Sequence, residues 1–249
     1  MSLLDRVQKA ITSASYPNRK VIDQGPFRIL IDPKRTVVFV NYAVVLHPPE
    51  SPVEDVANLV TTFESFQRVP RIEYAKQATL GLDEALSQAG FKMEHELPLM
   101  ACTPETFRPR ASGVEVRTLG PADDVRVYYR TANQAFDVQW PVSATPIWKG
   151  DADKETGALS IAIGYIDGEP VGCACMGPTW ELSGVGVVPE FRRRGVASAV
   201  STRLLENHFT NADLAWLTAE DESAEALYRG LGFKTIGAHQ AWAIVPHAV

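Results

Sequence analysis

Cysteine is scarce in this 249-residue chain, which contains three, at Cys102, Cys173 and Cys175. An odd and low number excludes a disulfide-stapled scaffold and favours a reducing compartment, so we predict a cytoplasmic protein. Cys173 and Cys175 stand two apart in an apolar run, which predicts two core thiols on one face of a strand. Neither these thiols nor the five histidines have the spacing of metal ligands, so no metal is predicted.

Long apolar runs and a basic excess are missing as well. No stretch has the length of a signal-peptide core or of a membrane helix, so no membrane partner is predicted. The 24 Lys and Arg residues against 30 Asp and Glu residues give a net charge of -6, and this balance disfavours a nucleic-acid partner. The glycine-rich signatures of mononucleotide and dinucleotide sites are also absent, which weakens the interpretation as an unrelated nucleotide-binding module.

A segment rich in Pro, Gly, Ser and Arg, residues 104–113, predicts a linker between two halves. We place these halves at residues 1–108 and 113–249. The second half alternates strand and helix patterns, which predicts an α/β protein, and it closes with short strand patterns at 234–237 and 241–245.

An internal repeat connects the two halves. The helix patterns at 83–92 and 225–234 both end in Gly-Phe-Lys, and a strand, a helix and another strand precede each of them. The simplest interpretation is a duplicated α/β unit. Glycine is favoured at helix C-termini, so a coincidence of capping chemistry stays open as the alternative. The second half also contains a strong hairpin signal, Asp167-Gly168 between two apolar runs.

The segment 185–197 is the most informative part of the chain. A strand pattern ends at Val188, Pro189 stops it, and a helix pattern begins after a short loop. The first N–H groups of a helix have no intrahelical partner and form the positive end of the helix dipole, so they bind phosphate. Gly195 and Ala197 keep this turn bare, and three consecutive arginines add positive charge. An ordinary strand, loop and helix with solvated arginines is the alternative.

This segment resembles the acetyl-CoA signature of the GNAT N-acetyltransferase superfamily, Arg/Gln-x-x-Gly-x-Gly/Ala, at Arg192, Gly195 and Ala197. The resemblance implies an α/β (α+β) fold with a mixed, mostly antiparallel central sheet flanked by helices. Together with the internal repeat, it predicts two similar halves, of which the N-terminal one is degenerate. It also implies that the main chain of the turn contacts the coenzyme pyrophosphate and that the preceding strand binds the pantetheine arm. The residues thereby assigned to coenzyme binding are Val185, Val187, Arg192, Arg193, Arg194, Gly195, Val196, Ala197, Asp221 and Ala224.

A second segment, 221–233, resembles the later family motif Asn-x-x-Ala-x-x-Leu-Tyr-x-x-x-Gly-Phe. It matches at Ala224, Leu227, Tyr228, Gly232 and Phe233. It departs at Asp221, which keeps a capping role but lacks the amide donor of asparagine. The phenol of Tyr228 can donate a proton to a departing thiolate, so we predict a catalytic acid there, with a core tyrosine as the alternative.

Glu181 lies at the start of the strand that precedes the turn. Resemblance to the histone-modifying branch of the family implies a general base at this position, and burial beside Trp180 and Leu182 would raise its pKa. A solvated glutamate at a strand edge is the alternative. The aromatic residues Phe136, Trp140 and Trp148 form an acceptor-binding wall or part of the core, and the sequence leaves these two interpretations open. For Glu181, burial is the only cause from which a pKa shift is expected here.

The first half lacks the phosphate-binding pattern. Its corresponding segment, 47–52, reads His-Pro-Pro-Glu-Ser-Pro, without glycine or arginine and with prolines that remove N–H donors. We therefore predict that this half does not bind coenzyme A.

Together these patterns predict an N-acetyltransferase that transfers the acetyl group from acetyl-CoA to a primary amine by direct attack in a ternary complex. The acceptor would be a small molecule or a peptide, and the protein a monomer or a homodimer. Acetyl-CoA is expected in a cleft where two strands separate after Val187, with a nearby N–H stabilising the oxyanion. A non-catalytic sensor or scaffold that binds CoA or acyl-CoA is the alternative function.

Overall fold

The structure, a computed structural model, describes residues 1–14, 19–79, 81–120, 122–139, 142 and 160–244. The chain forms two compact units: Met1–Leu99 together with Thr235–Val249, and Met100–Lys234. The last strand of the chain thus belongs to the first unit. Among the helices of the described ranges, none is both long and apolar enough to cross a membrane.

Helices and strands follow one another closely along the chain. The helices are α1 (Leu3–Ser13), α2 (Pro52–Ser65), α3 (Leu82–Gln88), α4 (Arg126–Phe136), α5 (Val196–His208) and α6 (Glu222–Gly230). The strands are β1 (Lys20–Gln24), β2 (Phe27–Ile31), β3 (Tyr42–Val45), β4 (Arg71–Ala75), β5 (Lys92–Cys102), β6 (Glu115–Thr118), β7 (Ser160–Ile166), β8 (Glu169–Met176), β9 (Leu182–Val187), β10 (Ala215–Thr218) and β11 (Lys234–Ala243). One continuous strand, β11, replaces the two short strands expected at the end of the chain.

The first unit contains a mixed sheet in the order β1-β2-β3-β4-β11-β5. Strands β3 and β4 run parallel, whereas β1–β2, β2–β3 and β4–β11 are antiparallel pairs. Alternate strand residues and the apolar sides of α2 and α3 bury one core, which includes Phe27, Ile29, Leu59, Phe63, Ile72 and Leu86. Burial of each such side chain contributes about 1.5–3 kcal/mol to folding.

The second unit is built on the antiparallel sheet β6-β7-β8-β9. Because side chains alternate along a strand, Ala162 and Ala174 face a core that contains α5 residues, whereas Ile161 and Cys173 face a core that contains α4 residues. Cys173 and Cys175 are both buried and free, so the predicted core thiols are confirmed. The predicted mixed, mostly antiparallel sheet with flanking helices is confirmed as well.

Turn and glycine chemistry fix where α5 begins. The predicted hairpin is confirmed, since β7 and β8 pair through a turn in which Asp167 and Gly168 have φ of +52° and +82°. A Cβ at Gly164 would lie 3.0 Å from Val196 Cγ1, and a Cβ at Gly172 would overlap the same methyl group. The first residue of α5 therefore rests in a notch of the sheet that only glycines leave open.

Candidate active site

The turn between β9 and α5 is curled by two residues in the left-handed region. After a 3-10 turn at Pro189–Phe191, Arg193 has φ of +62° and Gly195 has φ of +81°. No atom lies within 4 Å of a Cβ built on Gly195, so the turn is open at this point. A non-glycine residue in the left-handed region is strained by about 1–3 kcal/mol, and such strain at Arg193 marks a turn whose shape matters.

A run of main-chain donors lies on this turn. Within the part of the chain that the structure describes, the six N–H groups from Arg193 to Ser198 donate to no protein acceptor. The first bonded one is that of Ala199, which donates to Gly195 O at 3.0 Å. No acidic residue lies in the first turn of α5 and no side chain caps it. Successive N–H groups around left-handed residues form an anion-binding concavity, and the helix dipole strengthens it.

Arg192 behaves differently from the two arginines that follow it. Its main-chain N–H donates to Pro189 O at 3.2 Å. Its guanidinium donates from Nε to Val187 O at 3.2 Å and from Nη2 to Ala135 O at 3.1 Å. The sequence grouped Arg192 with the coenzyme ligands. In the structure Arg192 is exposed, and one N–H of its Nε and one of its Nη2 donate to carbonyls of the protein. Arg193 and Arg194 are exposed, and the Arg194 guanidinium lies 5.4 Å from the centroid of the Phe191 ring.

One edge of strand β9 pairs with β8. The opposite edge of β9 faces away from β8. Val188 N–H donates to Val171 O at 2.9 Å, and hydrogen-bonded and non-bonded residues alternate in antiparallel pairs. The main-chain groups of Val187 and Val185 therefore point away from β8, and Val187 O accordingly accepts from Arg192. The N–H groups of these two valines lie on the open edge.

A β-bulge interrupts β9 at Gly184 and Val185. Cys175 pairs with Ser183 and Cys173 pairs with Gly186, so Gly184 and Val185 together oppose one residue of β8. Gly184 has φ of +59°, and a Cβ on it would lie 3.1 Å from the Tyr128 hydroxyl. This bulge was not predicted from the sequence, although an isolated glycine inside a strand pattern is a signal for one.

Strands β9 and β10 belong to different sheets and meet at a parallel bridge between Glu181 and Trp216. The sequence placed their separation after Val187. The structure places it earlier, because among the described residues this single bridge precedes β9 and no ladder with β10 continues along it. The open edge thus includes the bulge and both valines.

The main chain around Glu181 is held by its neighbours. Trp180 has φ of +66°, and its carbonyl accepts from Trp216 N–H at 3.1 Å, while Glu181 O accepts from Gly177 N–H at 2.9 Å. The Glu181 residue is half-buried. Burial, with a further contribution from the Glu181 carboxylate, raises the pKa of the Cys175 thiol.

Tyr228 is buried in the second unit, in the same cluster as Val185 of β9. Its ring meets the Phe233 ring edge-on, with centroids 5.8 Å apart. Burial raises the pKa of Tyr228 above its usual value, and the carboxylates of Asp221 and Glu220 add to the shift. The residue is therefore a neutral phenol throughout the physiological range, as a proton donor must be.

Asp221 is exposed and immediately precedes α6. Its Oδ1 accepts from Ala224 N–H at 2.7 Å, which is a helix N-cap. The two residues of the motif thus bond to each other. Gly232 ends the segment, and a Cβ there would overlap Thr106 O, which explains why the motif requires glycine.

Phe136 ends α4 and lies against β9. Its Cζ and Ala135 Cβ would each lie 2.8 Å from a Cβ on Gly186, so only glycine allows this approach. Its side chain is 37% exposed, which suits a residue that lines a cleft. Trp140 and Trp148 lie outside the described residues. Among those that are described, no group of three His, Cys, Asp or Glu side chains is placed to hold a metal ion.

Comparisons with known proteins agree with this geometry. Residues 125–233 match the family model of the acetyltransferase (GNAT) family. This segment contains the turn, β9 and α6, and it lies within the second unit. Among curated proteins, no significant match to the chain is found.

Solved structures resemble the chain over nearly its whole length. A GCN5-related N-acetyltransferase from Kribbella flavida has a TM-score of 0.79 at 24% identity, covering 100% of this chain and 97% of that chain. A GCN5-related N-acetyltransferase from Sphaerobacter thermophilus has a TM-score of 0.60 at 17% identity, covering 91% and 84% respectively. A tandem GNAT protein from the clavulanic acid biosynthesis pathway has a TM-score of 0.53 at 11% identity, covering 98% and 89%.

These similarities show the fold, and the expected GNAT-like architecture is thereby confirmed. Sequence identities this low do not by themselves carry an activity. The family-model match is confined to residues 125–233, and the likeness to the solved structures concerns the fold.

Proposed function

We propose that the protein is an N-acetyltransferase that moves the acetyl group of acetyl-CoA to a primary amine by direct attack in a ternary complex. The observation that carries this proposal is the run of N–H groups from Arg193 to Ser198 at the end of a strand with an open edge. A diphosphate supplies the negative charge and the acceptor oxygens that such donors require. Exposed Arg193 and Arg194 add charge of the right sign.

The open edge of β9 offers the next contacts. A pantetheine arm contains amide groups, and the N–H groups of Val185 and Val187 are oriented to bond to it along the strand. In the same proposal Gly195, Val196 and Ala197 hold the diphosphate through their main chain. Asp221 and Ala224, which bond to each other, hold the start of α6 beside this site.

The chemistry then requires a base, an oxyanion donor and an acid. Glu181 takes a proton from the ammonium group of the acceptor, directly or through one water molecule. The free amine attacks the thioester carbonyl, an N–C bond forms, and an N–H near Val187 stabilises the negative charge on oxygen. The C–S bond breaks, and Tyr228 gives its proton to the departing thiolate. The attacking nitrogen then loses its excess proton, which returns through water to the Tyr228 phenolate and leaves a neutral amide. No step needs a metal ion.

The decisive experiment combines calorimetry with thiol release. The purified protein is titrated with acetyl-CoA, and thiol release is then measured with spermidine, lysine and tyramine as acceptor probes. Heat of association and amine-stimulated thiol release are expected. Absence of binding contradicts the proposal. Binding without amine-stimulated release favours the non-catalytic sensor, in which Tyr228→Phe has no turnover to reduce.

We further propose that residues 1–108 are a degenerate copy of the acetyltransferase half, residues 113–249. The Gly-Phe-Lys helix ends support this origin, and so does the likeness to a tandem GNAT protein over 98% of the chain. The site lies in the second copy, where the turn is open. We propose a small-molecule or peptide amine as the acceptor. We further propose that the protein is a cytoplasmic monomer or homodimer.

A further inference from the structure

Arg192 joins two parts of the second unit that are distant in sequence. Its Nε donates to Val187 O on the open edge of β9, and its Nη2 donates to Ala135 O in α4, 57 positions away. Arg193 and Arg194 are exposed neighbours of the same type, and neither makes such a pair of bonds in the described part of the chain. Arg192 therefore has a role that differs from that of Arg193 and Arg194.

The bond to Ala135 lies at the C-terminal end of α4. The last carbonyls of a helix have no intrahelical partner, and a cation there also offsets the negative end of the dipole. Asn133 O is already taken by Val138 N–H at 3.0 Å, so the Arg192 guanidinium satisfies a different carbonyl of this turn. A guanidinium donates two parallel bonds from a rigid fork, which a point charge does not reproduce.

The end of α4 presses directly on β9. Ala135 and Phe136 occupy the space over Gly186, which lies between the two valines of the open edge. The position of the Phe136 ring relative to this edge thus depends on how firmly the last turn of α4 is held. Arg192 holds it from the β9 side.

We propose that Arg192 is a positioning residue for the acceptor side of the site and not a ligand of the diphosphate. The proposal rests on the proposed function, because it takes the open edge of β9 as the place of the thioester. Arg192 fixes α4 and Phe136 as the wall along which the amine approaches. The diphosphate is bound by the turn that follows, from Arg193 onward.

The test separates coenzyme binding from acceptor use. Arg192→Ala and Arg193→Ala are compared by calorimetry with acetyl-CoA and by steady-state kinetics with the fastest acceptor among spermidine, lysine and tyramine. Arg192→Ala should change the Kd for acetyl-CoA by less than about threefold while it raises the amine KM or lowers kcat about 10- to 100-fold. Arg193→Ala should instead weaken coenzyme binding. Arg192→Lys should restore only part of the acceptor effect.

A second measurement does not depend on turnover. Amide hydrogen exchange over residues 133–138 should be faster in Arg192→Ala and unchanged in Arg193→Ala. Loss of acetyl-CoA affinity in Arg192→Ala with an unchanged amine KM overturns the proposal, and so does unchanged exchange at the end of α4. If wild type binds acetyl-CoA and acetylates none of the probes, the proposed function fails. The exchange and Kd results then decide the role of Arg192 alone.

Discussion

Two strand–turn–helix segments, β3 to α2 in the first unit and β9 to α5 in the second, have the same order of elements and opposite chemistry at the helix start. In α2 the first turn begins at Pro52, contains Glu54 and Asp55, and Asp55 accepts from Ser51 N–H at 3.3 Å. In α5 the first turn has no acidic residue, and its N–H groups lack acceptors within the described residues. The proline and the two acidic side chains make the start of α2 a poor anion site, and the first turn of α5 has neither.

The strands before the two helices differ in the same way. β3 is paired on both edges, antiparallel with β2 and parallel with β4 through Ala43–Ile72 and Val44–Glu73. β9 is paired with β8, carries a bulge at Gly184, and meets β10 at the Glu181–Trp216 bridge. A strand that is paired on both sides has no N–H groups to offer to a ligand. The comparison therefore favours the second unit as the place of the proposed coenzyme binding.

The strongest test of this comparison is to place a negative charge in the open turn. Gly195→Asp places a carboxylate beside N–H groups that lack an acceptor among the described residues. It also strains a residue whose φ is +81°. We expect acetyl-CoA affinity to fall at least about 100-fold by calorimetry. Gly90→Asp is the control, since Gly90 has φ of +88° and open space around it in the first unit. Equal loss in both variants would contradict the assignment.

The second largest effect is expected from removal of the proposed acid, Tyr228. Tyr228→Phe should lower kcat about 100-fold and leave the Kd for acetyl-CoA unchanged, because it removes one proton donor and little packing. Tyr74→Phe, a buried tyrosine of the first unit, should leave kcat unchanged. Burial raises the pKa of Tyr228, so ionisation of this residue should not reduce kcat as the pH rises to about 10. Such a decline, if Tyr228→Phe removed it, would refute the assignment.

The bulge can be tested by filling it. Gly184→Ala brings a methyl group to 3.1 Å from the Tyr128 hydroxyl and strains a residue at φ of +59°, so the open edge should shift. We expect kcat to fall about tenfold, since a displacement of about 1 Å at a reacting site has a large effect. Gly184→Ala with Tyr128→Phe should recover part of the loss in a double-mutant cycle. Complete additivity would argue against contact between the two residues.

The smallest expected effect concerns stability. Asp221→Ala removes the N-cap of α6 and should lower the free energy of unfolding by about 1 kcal/mol in urea titrations. Asp221→Asn should lose less, because asparagine is also a good cap. If Asp221→Ala instead abolished acetyl-CoA binding at unchanged stability, this residue would contact the coenzyme directly.

Much of the site could be predicted because its chemistry is local. The N–H groups that lack partners are located by three local features: a proline after a strand, a glycine and a following helix. This turn lies within ten residues of sequence. The role of Tyr228 likewise depends on a short motif. The three arginines could not be distinguished from sequence, because the partner of Arg192 at Ala135 comes from another helix.

Pairing between distant segments could not be predicted in the same way. The final strand reads as a strand from its own residues, but its place between β4 and β5 depends on which edge was free to receive it. The separation of β9 from β10 also begins earlier than expected, immediately after the Glu181–Trp216 bridge, and this pairing joins segments far apart in the chain.

The sequence by itself determined the α/β class, and it predicted an anion-binding turn at Gly195 and a candidate acid at Tyr228. Each of these depends on backbone and side-chain properties of neighbouring residues. Only the tertiary structure decided which edge of β9 stays open, where β11 pairs and which carbonyls Arg192 holds. These features arise from contacts between elements far apart in the chain, and their energies depend on geometry that no local pattern specifies.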